Sequence, residues 1–460
     1  MIGNLIGPEI RELIETRNFA ALREAFADWT PADIAECLIE LPEDDQVAVF
    51  RLLPHARATV VLEYLDADAQ QHLLKAMGHE SAVRFLNDMS PDDRTQFLEE
   101  LPGEAVAQML TLLSPEERTV AQTLLNYPEN SVGRLMTPDF ISVRTEWTIT
   151  QVLDYIREHG RDSETLNVIY ITDDRGRLLD DVRIREILLR PLTATMAEIN
   201  DSSWIALRAA DAQETAVAMF KKYDRNTLPV IDSEDRLLGI VTIDDILDVQ
   251  EEITTEDMQK LGGLEALDEP YNTISLGRMI KKRATWLIIL FLSEMLTATA
   301  MGSFEGEIEK AAVLAIFLPL IISSGGNSGS QATTLIIRAM ALTEVRLGDW
   351  LRIMRREATA GLLLGVVLGI IGFCRILLWQ GIHLHDYGPH YFLIASTVGI
   401  ALIGVVMWGT VSGAMLPFLL RRCGLDPATS SAPFVATLVD VTGLIIYFNT
   451  AVLILKGTVL

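Results

Sequence analysis

The 460-residue sequence predicts a multidomain membrane protein: a cytosolic all-α superhelical domain, an α+β tandem repeat, a linking helix, then a five-helix α transmembrane domain. Three observations predict it. Charge is partitioned: the chain carries 38 basic and 63 acidic side chains, but only 14 and 10 of these lie from Tyr271 onward, so a part near −29 precedes one near +4. The second part holds five apolar runs, each near the ~20 residues needed to cross ~30 Å of hydrocarbon. The first part holds two unlike internal repeats, one purely helical and one alternating strands with helices. So acidic a surface repels phosphate backbones, which argues against a nucleic-acid partner.

Residues 1–130 read as short amphipathic helices with a recurring start signal. Thr30-Pro31-Ala32-Asp33, Ser90-Pro91-Asp92-Asp93 and Ser114-Pro115-Glu116-Glu117 each offer an N-cap hydroxyl, a proline at the first helical position and acids in the first turn. Leu41-Pro42 and Leu101-Pro102 follow Thr30 and Ser90 at the same spacing, so helix pairs stack in the manner of a solenoid. Residues 131–249 switch to strands and helices in two copies. Leu135-Met136-Thr137-Pro138 and Val168–Asp173 form one, Asn226–Asp232 and Leu238–Asp245 the other. These resemble a tandem pair of CBS modules, which pair head to tail; the first copy departs from the pattern with Asp180-Asp181-Val182 where Gly-Ile-Val is usual. Residues 250–279 form the link, with a helical stretch from Glu251 to Leu267 too polar to cross a bilayer.

Residues 280–460 contain the spans, expected at Trp286–Met301, Ala312–Ala341, Ala358–Trp379, Phe392–Leu420 and Ser431–Leu455. The second and fourth are long and rich in internal glycine, so tilting or breaking is expected. Arg278, Lys281, Lys282 and Arg283 precede the first span, Arg346, Arg352, Arg355 and Arg356 follow the second, and Arg421 and Arg422 follow the fourth. The positive-inside bias then puts the amino terminus in the cytoplasm and the carboxyl terminus outside a cell (inner) membrane. The amino terminus has no basic start followed by an apolar run, so no cleaved secretion signal is expected. Cys37, Cys374 and Cys423 fit neither a disulfide framework nor a zinc spacing, which suits a reducing compartment.

Two segments inside the spans carry chemistry. Pro319–Gln331 is so rich in glycine and hydroxyls that its backbone is expected to leave helical bonding and line a cavity. Tight packing through small residues is the other reading of it. In the fifth span Asp440 stands in a continuous apolar run, with Ala436, Gly443 and Tyr447 on its helical face. An acid at membrane depth costs several kcal/mol unless it is used. Mg²⁺ keeps most of its waters and takes one or two carboxylates, so one Asp among small residues suits a hydrated ion. A buried, hydrogen-bonded acid pairing with Arg375 or with another span is the alternative. His383, His385, Asp386 and His390 read as a polar external loop, with a transition-metal site as the alternative.

In these segments and their order the chain resembles the MgtE family of Mg²⁺ channels and transporters over essentially its whole length. GGNSGSQATTLIIRAMA and LPFLLRRCGLDPATSSAPFVATLVDVTGLIIY carry the likeness most specifically. Ala432 before Pro433 departs from it, since the family usually has Asn there. The resemblance implies a homodimer whose fifth spans line a pore, with Asp440 as the ion-selecting acid. It places Ala436, Gly326 and Asn327 nearby, and Asp426 at the cytoplasmic mouth. It also implies that Mg²⁺, as substrate and regulator, closes the pore by bridging soluble acids. Asp88 and Asp92 stand on the helical domain, Glu214, Asp224, Asp245 and Asp248 on the CBS pair, and Glu256 and Asp257 on the link, where Ile253 replaces an expected acid. An adenine nucleotide at the CBS pair is a further ligand such modules take. Mn²⁺ or Co²⁺ as cargo, and a non-conducting receptor or enzyme, are the other function classes to weigh; the spans lack the His, Cys or Ser partners that catalysis needs.

Overall fold

The computed structural model describes residues 2–267, 271, 274–342, 344–429 and 432–458. Residues 268–270 and 272–273 of the link, and Ser431 at the start of the expected fifth span, lie outside them. The chain divides into two compact units, Met1–Glu251 and Glu252–Leu460.

The first unit opens with helices α1 (Ile2–Glu15), α2 (Phe19–Ala27), α3 (Pro31–Ile39), α4 (Glu43–Phe50), α5 (His55–Glu63), α6 (Ala67–Met77), α7 (His79–Asp88), α8 (Pro91–Glu99), α9 (Gly103–Leu112) and α10 (Pro115–Leu125). None is long enough to stand alone in water, so each depends on burying one face. Leu22, Phe26, Ile34, Leu38, Phe50, Leu62, Phe85 and Phe97 fill one continuous core beneath them. The start signals work unequally. Thr30 and Ser114 accept from the backbone N–H groups of Asp33 and Glu117, each at 3.2 Å. Ser90 does not cap its helix: its hydroxyl donates instead to Asp93 Oδ2 at 2.6 Å. Thr30 makes the same donation, to Asp33 Oδ2 at 2.7 Å, and still accepts from the backbone.

After α11 (Val132–Leu135), two sheets repeat one plan. In the first, β1 (Ser142–Arg144) runs parallel to β2 (Val168–Thr172), which pairs antiparallel with β3 (Leu178–Arg183); α12 (Ile149–His159) packs beside it and α13 (Ile184–Leu188) follows. The second has β4 (Leu207–Arg208), α14 (Gln213–Tyr223), β5 (Thr227–Ile231) and β6 (Leu237–Thr242) in the same arrangement. The irregular first copy therefore keeps its strand. Asp180 and Asp181 lie within β3, where Asp180 accepts from the N–H of Asp201 at 2.8 Å and Asp181 pairs with Arg225 at 3.0 Å. The copies join through Leu178 N–H to Asp235 O and Leu237 N–H to Gly176 O, each 2.9 Å, over a shared core of Tyr170, Leu178, Ile231 and Ile240. The helix that follows, α15, spans Ile243–Leu261, so the helical stretch expected from Glu251 to Leu267 starts earlier and stops sooner. Gly262 and Gly263 end it, Gly263 with φ +73°.

The second unit contains helices long and apolar enough to cross a membrane at Leu276–Gly302, Ala312–Ala341, Leu347–Gly381, Tyr391–Arg422 and Ala432–Leu455. Their α-helical parts are α16 (Leu276–Gly302), α18 (Leu318–Ala341), α19 (Trp350–Gly381), α20 (Tyr391–Arg422) and α21 (Ala432–Leu455), with the short α17 (Glu305–Lys310) between the first two. The expected break in the glycine-rich second span is absent: α18 is continuous. Its glycines serve close approach. A Cβ on Gly409 would stand 2.4 Å from Gly325 O, and one on Gly413 2.2 Å from Gly329 O, so α18 and α20 touch backbone to backbone. Ser328 and Thr410 share a hydrogen bond of 2.6 Å and Thr333 donates to Gly413 O at 2.7 Å across the same seam.

Candidate functional site

In the second unit α18 carries polar groups on two faces. Gly325, Ser328, Gly329 and Thr333 are buried in the α20 seam, while Ser323, Asn327, Gln331 and Thr334 form an exposed stripe along the other face. Asn327 Nδ2 donates to Ser323 Oγ at 3.3 Å. Close packing is what the small residues of the segment do, its backbone stays helical rather than opening, and its amides remain outside the packing. Gly326 borders the stripe, and a Cβ there would lie 3.3 Å from the Ala436 methyl and 3.4 Å from Asp440 Oδ1. Asp440, Ala436 and Gly326 therefore meet where α18 passes α21, with Asn327 next to Gly326 in the chain.

The fifth-span strip expected around Asp440 divides in two. Ala436 and Asp440 are half-buried beside α18, but Gly443 packs on Val405 and Tyr447 is fully buried, its hydroxyl donating to Leu314 O at 2.9 Å. Tyr447 is a packing residue whose polar end is already satisfied. Arg375 lies over the Trp379 ring at 4.1 Å rather than against Asp440, and among the described residues Asp440 makes no ion pair or hydrogen bond. The charged group that bears on Asp440 is Glu294, from the middle of α16. Sequence reasoning missed Glu294, although the signal was available: it is an acid inside an apolar run.

Lower in the same unit, Lys260 bridges Glu256 at 2.7 Å and Asp426 at 2.9 Å. Asp426 also accepts from Ala428 N–H at 2.9 Å, which fixes the turn before α21. Asp257 lies half-buried one residue from Glu256 on α15. In the loop after α19, Asp386 accepts from Gly388 N–H at 2.9 Å and Gln380 Nε2 at 3.1 Å, so it shapes the turn rather than joining the histidines.

The first unit gathers acids from distant parts of the chain. Asp92, 8% exposed at the start of α8, feels Asp244, and Asp245 at the start of α15 feels Asp92. Glu63, Asp93, Asp139 and Glu164 are electrostatic neighbours of Asp92. The buried Arg94 does not neutralise them all: its guanidinium donates to Leu86 O and Met89 O and pairs with Glu117. Burial first, and neighbouring carboxylates second, push Asp93 and Glu164 up to about 7 and Asp139 to about 6. The same causes raise Glu63, Asp92 and Asp248, and raise Asp245 well above the usual carboxylate range. Asp248 lines a cavity of about 270 Å³ with Glu63, Asp93 and Glu100. Glu63, Asp139 and Glu164 carry no local sequence signal, since each joins the cluster only through tertiary folding.

Other expected sensor positions stand apart from this cluster. Asp88 is exposed and bound to His55 Nε2 at 2.7 Å. Glu214 and Asp224 are exposed at opposite ends of α14, roughly 15 Å apart at 1.5 Å per residue, so they cannot share one ion within a chain. Among the described residues, no three His, Cys, Asp or Glu side chains are already arranged to hold a metal ion. The cluster is a set of mutually repelling acids, not a closed coordination shell.

Three family descriptions match the chain. Residues 318–450 match MgtE, described as a divalent cation transporter; residues 29–130 match the MgtE intracellular N domain; residues 132–192 and 198–252 match the CBS domain. The magnesium transporter MgtE of Thermus thermophilus is 37% identical over 451 residues, covering 97% of this chain and 98% of that one. The magnesium transporter MgtE of Enterococcus faecalis is 28% identical over 333 residues, 72% of this chain and 71% of that one. Among solved structures, the cytosolic domain of the Mg²⁺ channel MgtE in complex with ATP is similar with a TM-score of 0.50 and 33% identity, covering 52% of this chain and 98% of that one. The soluble part of a magnesium transporter shares the fold, with a TM-score of 0.51 at 24% identity over 55% of this chain and 99% of that one.

Proposed function

The chain belongs to the MgtE family of divalent cation transporters, and on that premise we propose that it is a Mg²⁺-selective conduit for magnesium uptake, closed by cytosolic Mg²⁺ bound at its soluble acids. The observation that carries the proposal is the meeting of Asp440 and Ala436 with Gly326, which borders the exposed Ser323–Asn327–Gln331 stripe, in helices otherwise apolar enough to span a membrane. Asp440 supplies the charge, the amides and hydroxyls face the hydration shell, and Ala436 and Gly326 leave room for it. Such a face cannot meet lipid without cost. In this reading two copies bring their faces together, so the conducting form is a homodimer in the cell membrane, with its amino terminus cytoplasmic and its carboxyl terminus outside.

Labour divides along the chain: residues 1–130 and 131–249 sense, 250–279 transmit and 280–460 conduct. The acids around Asp92 and Asp245 repel one another when no cation is present, and Mg²⁺ relieves that repulsion by bridging them. Asp88, Glu214, Asp224, Asp248, Glu256 and Asp257 are the remaining sensor positions of the proposal, and Asp426 stands at the cytoplasmic mouth of the path. The CBS pair is the place for an adenine nucleotide, a role that the ATP complex of a relative supports. The test is flux of Mg²⁺, Mn²⁺ and Co²⁺ into liposomes carrying the full chain. Flux that prefers Mg²⁺ and disappears in Asp440→Asn supports the reading. Equal flux of all three ions removes the selectivity, and no flux removes the conduit.

A further inference from the structure

We propose that Glu294 is a second ion-facing carboxylate of the transport path, acting with Asp440 to set the preference for a divalent over a monovalent cation. The inference rests on the reading of Asp440 as the ion-selecting acid, and it comes from three placements.

The first is height. Trp286 on α16 meets Phe434 on α21 with ring centroids 6.3 Å apart, and Phe304, just past the end of α16, stacks on Phe448 at 4.9 Å. The two helices therefore run side by side in the same direction between these contacts. Glu294 lies eight of eighteen residues along from Trp286, and Asp440 six of fourteen along from Phe434. Both acids stand at the same fraction of the distance, and Glu294 is the charged neighbour of Asp440.

The second is the face. The covered side of α16 is the stripe Trp286, Leu290, Ser293, Thr297 and Ala300. Glu294, four residues after Leu290 and three before Thr297, borders that stripe while remaining exposed itself. The third is Thr297, one turn above. It is only 6% exposed, yet its Oγ1 has no hydrogen-bond partner. A hydroxyl buried at this depth normally bonds back to its own helix, so an unsatisfied one beside a carboxylate points to water or a hydrated ion as its partner.

Neutralisation from within the protein does not explain Glu294. The basic residues of α16 end at Arg283, roughly 16 Å below at 1.5 Å per residue. Among the described residues, Glu294 and Asp440 form no ion pair. Two carboxylates at one height repel unless a cation lies between them, and a dication answers both charges where a monovalent ion answers one.

The test uses the full chain in liposomes, with Mg²⁺ and Na⁺ as probes and Asp440→Asn as reference. Glu294→Gln is expected to raise the half-saturating Mg²⁺ concentration about 5–10-fold and to lower the preference for Mg²⁺ over Na⁺ about tenfold, with maximal Mg²⁺ flux within about twofold of wild type. Glu294→Asp, which restores the charge, is expected to recover both. Unchanged half-saturation and preference in Glu294→Gln overturns the inference. So does an equal loss of maximal flux in the Gln and Asp forms, which marks a packing role. If wild type carries no Mg²⁺, or Asp440→Asn carries it normally, the reading of Asp440 fails first and this inference with it. A normal Asp440 dependence beside a silent Glu294 overturns this inference alone.

Discussion

The two units treat carboxylates in opposite ways. The soluble unit crowds Asp92 and its neighbour Asp93 with Glu63, Asp139, Glu164, Asp244 and Asp245, which come from distant parts of the sequence. The membrane unit spaces its acids thinly, with Asp440 alone in α21 and Glu294 alone in the apolar run of α16, on long helices of which α18 and α20 approach backbone to backbone. Crowded acids on separable elements make compactness depend on what neutralises them, which suits a sensor. Isolated acids in a unit built round the locked α18–α20 pair let an ion interact without forcing that pair to rearrange, which suits a path. On the proposed reading, one residue type would serve regulation or conduction according to its density and the stiffness of its surroundings.

The largest expected effect tests the sparse side. Asp440→Ala, and Asp440→Asn nearly as much, should lower Mg²⁺ flux about a hundredfold or more while elution from a sizing column stays unchanged. Normal uptake in either variant would erase the contrast, because the path would then need no isolated acid.

Next comes the stiffness. Gly413→Val should destabilise the membrane unit by about 1–3 kcal/mol or more, since its first added carbon would stand 2.2 Å from Gly329 O. Thermal melting in detergent measures this. A variant that melts like wild type would show that the seam between α18 and α20 is not locked.

The crowded side is tested by pH. Carboxylates raised in the folded state bind more protons there than in the unfolded chain, so stability present at low pH is lost as pH climbs from the ordinary range near 4 through about 7. Without divalent ions, melting of the soluble unit within the full chain should fall by several degrees between pH 5.5 and 7.5. Mg²⁺ should restore it at pH 7.5 and add little at pH 5.5. Asp92→Asn with Asp245→Asn should flatten both responses. Melting that rises with pH, or a Mg²⁺ effect of equal size at both values, would show that repulsion is not what the ion relieves.

The smallest effect sharpens the comparison at Lys260. Its pairs with Glu256 and Asp426 are partly exposed, so Lys260→Met should change stability by less than about 1 kcal/mol. A larger loss in a melting experiment would add a third, structurally committed class of acid to the two described here.

Much of this protein was legible before folding. Hydropathy and length located the spans, charge partition separated the soluble part, and repeated strand patterns disclosed the tandem modules, because these are local properties that the chain carries in any conformation. Asp440 was legible for the same reason, and Glu294 could have been. Composition could not say which side of the glycine-rich span would pack, since a helix bonds its own backbone and leaves the choice of face to its neighbours. Only the fold decided that Gly325 and Gly329 meet Gly409 and Gly413 while Asn327 stays out of the seam, and that Tyr447 is spent on Leu314. It likewise brought Glu63, Asp139 and Glu164 to Asp92. Repulsion among acids that far apart in sequence exists only once tertiary packing holds them together in a poorly solvated place.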